Sequence, residues 1–254
     1  FAGHGDISVG NIIGSNVFNT GAILGLAALL CPVAVHQQII RIDAPLALAA
    51  AVVLPILLSD GRLDRPEAGL LVLGIAAYTV LNLLLARRSP PGADQAYIQV
   101  VPPRRAHWWM DLVLILGGLA VLVAGSRLLV GHAVSMAEYL GVSKAVIGLT
   151  IVAAGTSMPE LATSLLAAAR RQPDIAIGNA VGSNIFNLLG IAGLSGLCAP
   201  LSAPGITTTD YVVQIAFAAL LLPLLYTGRR LHRLEGALLL GLYGGYLWLL
   251  WPQR

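Results

Sequence analysis

Charge is what this sequence has least of. Asp, Glu, Lys and Arg together occupy 11% of its 254 positions, against about 25% in a water-soluble domain. A chain so poor in charge cannot clothe an ordinary water-facing surface, and lipid is the expected solvent. Aromatic residues reach only 6% and the net charge only +3, which leaves too little for the basic, base-stacking surface of a nucleic-acid binder. The two cysteines, Cys31 and Cys198, lie near the ends of apolar segments and read as small packed residues rather than as a disulfide or metal pair. The five histidines are scattered at loops and helix ends, without metal-ligand spacing. No nucleophile elbow, phosphate-binding lysine loop or dinucleotide fingerprint occurs. Nothing points to an enzyme, and no cofactor is expected.

Hydrophobic residues make up 57% of the chain. They fall into eight segments, 8–31, 44–59, 67–86, 109–131, 143–169, 174–198, 209–227 and 233–251. About 20 apolar residues are needed for a helix to cross the hydrocarbon core. The backbone must satisfy its own hydrogen bonds there, so helices are expected. The alternation of a membrane β-barrel is absent. The fold class is therefore an all-α polytopic membrane protein.

One polar phrase occurs twice. Asp6–Asn19 reads DISVGNIIGSNVFN and Asp174–Asn187 reads DIAIGNAVGSNIFN, with nine of fourteen positions identical at an offset of 168. Leu54-Pro55 and Leu222-Pro223 match at the same offset, as do Arg65/Glu67 and Arg233/Glu235. Three helices before a basic, Pro- and Gly-containing linker thus pair with the last three after it. The expected organisation is a first repeat over 1–86, a cytoplasmic linker over 87–108 and a second repeat over 109–254. The second repeat has two further helices, so the pairing predicts about 60 residues, or two helices, upstream of residue 1. Five helices per repeat put the two copies into the membrane from opposite sides. The positive-inside rule agrees: with the linker cytoplasmic, ten of fifteen basic residues fall on that side.

The residues able to carry chemistry lie in and beside this phrase. Glu160, in Gly155-Thr156-Ser157-Met158-Pro159-Glu160, has apolar or small residues on both sides. A carboxylate at that depth is costly unless it is paired or coordinates a cation; a protonated, hydrogen-bonded structural Glu is the alternative. Pro159 deprives the Gly155 carbonyl of its helical donor, and Thr156 and Ser157 add hydroxyls. Such neutral and charged oxygens suit calcium, which takes six to eight of them. Ser15 and Asn19 share a helix face, as do Ser183 and Asn187. Interhelical hydrogen bonding is the other reading of those asparagines. Asn16 and Asn184 are expected to bond neighbouring backbone. Gly10/Gly14 and Gly178/Gly182 are expected to form close-packing seams, and Asp6 and Asp174 to cap their helices.

The stretch Gly148–Glu160 followed by Asp174–Asn187 resembles an α-repeat of the calcium:cation antiporter superfamily, above all its bacterial sodium/calcium exchanger branch. The resemblance covers essentially the whole chain. It implies ten helices in two inverted five-helix repeats, with four ion sites near the centre. Glu160 would be the calcium-binding carboxylate of the second repeat. Thr156, Ser157 and the carbonyl of Ala153 would serve sodium and calcium sites, lined further by Ser183, Asn187, Ser15 and Asn19. Calcium and sodium would be transported ions exchanged by alternating access, in a lipid bilayer, the bacterial plasma membrane. The first repeat's own acidic phrase is expected upstream. Asn187 is neutral where some exchangers carry Asp, which keeps calcium/proton and potassium-dependent exchange open beside sodium/calcium exchange. A membrane scaffold without transport is a further alternative.

Overall fold

The computed structural model describes residues 5–88 and 108–251; the linker expected over 87–108 lies largely outside them. Nine helices and four two-residue strands follow one another in the described residues. They are α1 (Gly5–Leu30), β1 (Val33–Ala34), α2 (Ile39–Leu57), β2 (Arg62–Leu63), α3 (Arg65–Arg88), α4 (Trp108–Tyr139), α5 (Lys144–Thr156), α6 (Met158–Ala169), α7 (Asp174–Cys198), β3 (Leu201–Ser202), α8 (Thr208–Tyr226), β4 (Arg230–Leu231) and α9 (Arg233–Leu250). Six helices are long and apolar enough to cross a membrane, and a seventh span results if α5 and α6, bent by 49°, count as one. The expected count of eight is not reached by that measure. The segment that falls short is α9, where Arg233, Glu235 and several glycines dilute an 18-residue helix.

The duplication is visible in how the strands pair. β1 pairs with β4 in the register Val33 to Leu231, and β2 pairs with β3 in the register Leu63 to Leu201. Each bridge maps onto the other when the repeats are exchanged, since both registers sum to 264. The helices obey the same exchange. The second half of α1 packs on α9 and the second half of α7 on α3, while α2 and α8 pack on each other. Local chemistry is repeated too. The backbone N–H of Asp64 donates to Glu67 at 2.9 Å and that of His232 to Glu235 at 2.7 Å. The matched Arg/Glu phrases are therefore helix caps. Tyr78 donates to buried Asp43 and Tyr246 to buried Asp210, both at 3.0 Å. These bonds tie α3 to α2 and α9 to α8.

Burial sorts the helices into layers. In α1, 83% of the most apolar window is buried, and in α4 none of it is. α1 and α7 are the centre, and α4 is a peripheral helix whose apolar side chains face outward, as lipid contact requires. Small residues permit the central contacts. A Cβ on Gly14 would lie 2.2 Å from the Leu149 carbonyl oxygen, and one on Gly148 would lie 2.8 Å from that of Ile7. The second expected seam has no partner among the described residues, where a Cβ on Gly178 or Gly182 would meet nothing within 4 Å. The expected caps by Asp6 and Asp174 also give way to longer reaches. Asp6 accepts from the Gly205 N–H at 2.8 Å, and Asp174 faces His36 at 3.4 Å. Each fixes the start of a central helix to the loop after a short strand of the other repeat, β3 for Asp6 and β1 for Asp174. Cys31 and Cys198 are free.

Candidate ion-binding centre

The break between α5 and α6 supplies the first group of oxygens. Ser157 sits at the junction, buried, with backbone angles outside the helical well. α5 ends there with its carbonyls directed to the break, and α6 begins, so a helix C-terminus and a helix N-terminus meet inside the span. The Gly155 carbonyl, denied a donor by Pro159, accepts from the Ser126 hydroxyl of α4. The Ala153 carbonyl oxygen lies 3.2 Å from Thr156 Oγ1 and 3.4 Å from Ser15 Oγ, within reach of either hydroxyl. The two hydroxyls lie 3.3 Å apart. Ser15, Ala153 and Thr156 thus form one cluster between α1 and α5.

Glu160 stands in the first turn of α6, where a negative charge is favoured. Ser183 Oγ of α7 donates to its Oε1 at 3.5 Å. Its Oε2 is buried and has no partner in the described structure. Asn179 Nδ2 donates to the Glu160 backbone carbonyl at 3.2 Å and to Ser164 Oγ at 3.0 Å, which holds α6 against α7.

The asparagines join the two central helices. Asn19 Nδ2 donates to Asn184 Oδ1 at 3.0 Å, and Asn187 Nδ2 donates to Asn16 Oδ1 at 3.1 Å. Repeat exchange turns one bond into the other. The expectation that Asn16 and Asn184 bond nearby backbone is corrected: both bond side chains of the opposite repeat. Residues three apart are neighbours on a helix just as residues four apart are, so Asn16 borders Asn19. Each contact lies where the helix widens into a π-turn, Asn19–Ile23 in α1 and Phe186–Ile191 in α7; such turns recur at functional sites. Asn19 gives its donor away and leaves its buried Oδ1 unpartnered.

Sequence reasoning missed three members. Asn11 Oδ1 accepts from Thr156 at 2.8 Å and from Ser15 at 3.3 Å. Its repeat mate is Asn179. Both stand in the duplicated phrase, one turn before Ser15 and Ser183, so the spacing 11, 15, 19 marked the face. Ser126 had no such signal, because its partner carbonyl lies in another helix.

Among the described residues no group of three or more His, Cys, Asp or Glu could hold a metal ion. The centre is therefore one carboxylate among hydroxyl, amide and carbonyl oxygens, between helices broken or widened in mid-span. Neutral and charged oxygens between broken helices are the kind of groups with which membrane transporters bind cations. The profile of the sodium/calcium exchanger protein family matches residues 1–84 and 110–251, and the chain belongs to that family of cation antiporters. CaxA of Alkalimonas amylolytica is 39% identical over 98% of this chain and 79% of its own. The sodium/calcium exchanger MaX1 of Methanosarcina acetivorans is 32% identical over 95% of this chain and 79% of its own. The solved sodium–calcium exchanger NCX_Mj, soaked with sodium and strontium, superimposes with a TM-score of 0.73 at 29% identity, covering 96% of this chain and 76% of that one.

Proposed function

We propose that this protein exchanges calcium for sodium across a membrane by alternating access, using the centre around Glu160. The observation that carries the reading is a pair of buried, unpartnered acceptor oxygens, Glu160 Oε2 and Asn19 Oδ1. An oxygen buried without a donor is costly, and a cation relieves that cost. Glu160, Thr156, Ser157, Ser183, Asn187, Ser15, Asn19 and the Ala153 carbonyl would be the ligands.

Competition makes such a centre an antiporter. Calcium needs six to eight oxygens, so it must draw on most of the cluster and above all on its carboxylate. Sodium ions compete for those same oxygens and displace it. The bent α5–α6 pair and the central helices rearrange around the bound ion, and the ion present decides which arrangement is populated. The bacterial plasma membrane suits the basic residues Arg41, Arg229, Arg230 and Arg233, gathered on and beside the β1–β4 bridge. It also suits the kinship with the inner membrane protein YrbG of Escherichia coli, 35% identical over 85% of this chain.

Liposomes test the coupling ion. With the protein reconstituted, an outward sodium gradient should drive uptake of radioactive calcium, and equal sodium on both sides should stop it. A pH gradient in sodium-free buffer should drive none. Uptake driven by pH alone would make the protein a calcium/proton antiporter, and uptake under neither gradient would favour a membrane scaffold.

A further inference from the structure

A small cavity lies behind the ion centre, between α1, α2, α7 and α8, with about 10 Å³ open to the centre of a water molecule. Its walls pair off under repeat exchange. Asn16 matches Asn184 and Thr20 matches Leu188, each at an offset of 168. Ala47 matches Gln214 at 167, the same offset that relates Asp43 to Asp210. The cavity therefore straddles the pseudo-twofold axis.

The symmetry breaks in two places, and the two breaks answer each other. On one side, Asn184 Nδ2 donates to Thr20 Oγ1 at 2.9 Å. On the other side Leu188 replaces the threonine, and Asn16 Nδ2 is left buried without a partner. α8 packs on α1, and there Gln214 replaces the alanine. Gln214 is 2% exposed, yet neither atom of its amide has a hydrogen-bond partner. Two donors and one acceptor thus remain open around a space of one water, and a buried water commonly makes about three hydrogen bonds. A bare cation suits this set less well, because two of the three open groups are N–H donors.

We propose that one structural water fills this cavity and that Gln214, through it, holds the Asn16 amide in the way Thr20 holds that of Asn184. Gln214 is then a positioning residue for the ion centre. With Nδ2 of Asn16 anchored, its Oδ1 stays turned to Asn187 Nδ2, and Asn187 keeps its own oxygen free for a cation. If Asn16 can turn over, Asn187 can turn with it and present N–H groups to the ions.

This inference rests on the sodium/calcium exchange reading, and the test separates the two. Calcium flux is measured against sodium concentration for the wild type, Gln214→Met and the double variant Gln214→Met/Leu188→Thr, together with thermal stability. Methionine keeps the volume and removes the unpaired polar atoms, so it should fold. The loss of one buried hydrogen-bond linkage should raise half-saturating sodium roughly fivefold, with the maximal rate within about twofold of wild type. Threonine at 188 offers Asn16 the missing acceptor and should restore half-saturation. Unchanged half-saturation in Gln214→Met, a change in maximal rate or stability alone, or no rescue by threonine would each overturn the role of Gln214. A wild-type protein without any sodium response would instead overturn the exchange reading.

Discussion

Replacing Glu160 by glutamine should lower sodium-driven calcium uptake by about 100-fold or more. The carboxylate is the only formal charge among the proposed ligands, and removing one partner of a buried charge interaction costs on the order of 3 kcal/mol or more. At about 1.4 kcal/mol per tenfold that is a loss of two decades. Glutamine is nearly isosteric, and its carbonyl can still accept from Ser183. It places an N–H group or a weaker, neutral oxygen where the unpartnered Oε2 now lies. Expression and thermal stability should therefore stay close to wild type while uptake collapses. Uptake within twofold of wild type would show that Glu160 is not the calcium ligand.

Gly14→Ala should be a strongly damaging single-methyl change at the centre of the protein. The added Cβ would sit 2.2 Å from the Leu149 carbonyl oxygen and 2.7 Å from the Ala153 Cβ. Neither is the end of a flexible side chain, so α1 and α5 must separate. Overpacking of this kind costs about 1–3 kcal/mol and sometimes more. The same movement carries Ser15 away from the Ala153 carbonyl, so stability and transport should fall together. Gly182, the repeat mate of Gly14, meets no described neighbour. Thermal unfolding and uptake at wild-type levels in Gly14→Ala would contradict the packing described.

The contrast between these glycines shows how far the sequence could be read. The duplicated phrase announced two equivalent helices, and repeat exchange holds in the strand registers, the Glu67 and Glu235 caps and the crossed asparagine bonds. Equivalent sequence does not give equivalent surroundings, however, and only Gly14 has a described neighbour. Ser15, Thr156 and Ala153 do meet, and so do Ser183 and Glu160, because each lies on a face that helical spacing defines. Asn16 and Asn184 were misread because their partners lie in the other repeat, and periodicity within one helix carries no information about what crosses it. Ser126 was hidden for the same reason. Gln214 looked like one polar residue in an apolar run. Its meaning depends on Leu188, 26 positions earlier, having lost the hydroxyl of Thr20.

The central claim is that calcium and sodium occupy the same oxygens. It is tested most directly by calorimetric titration of the purified protein with calcium, in sodium and in an equal concentration of choline. The account predicts that sodium raises the apparent dissociation constant for calcium progressively, without saturating at low concentration, and that Glu160→Gln abolishes the calcium signal in both buffers. Calcium affinity that is the same in sodium and in choline would contradict it.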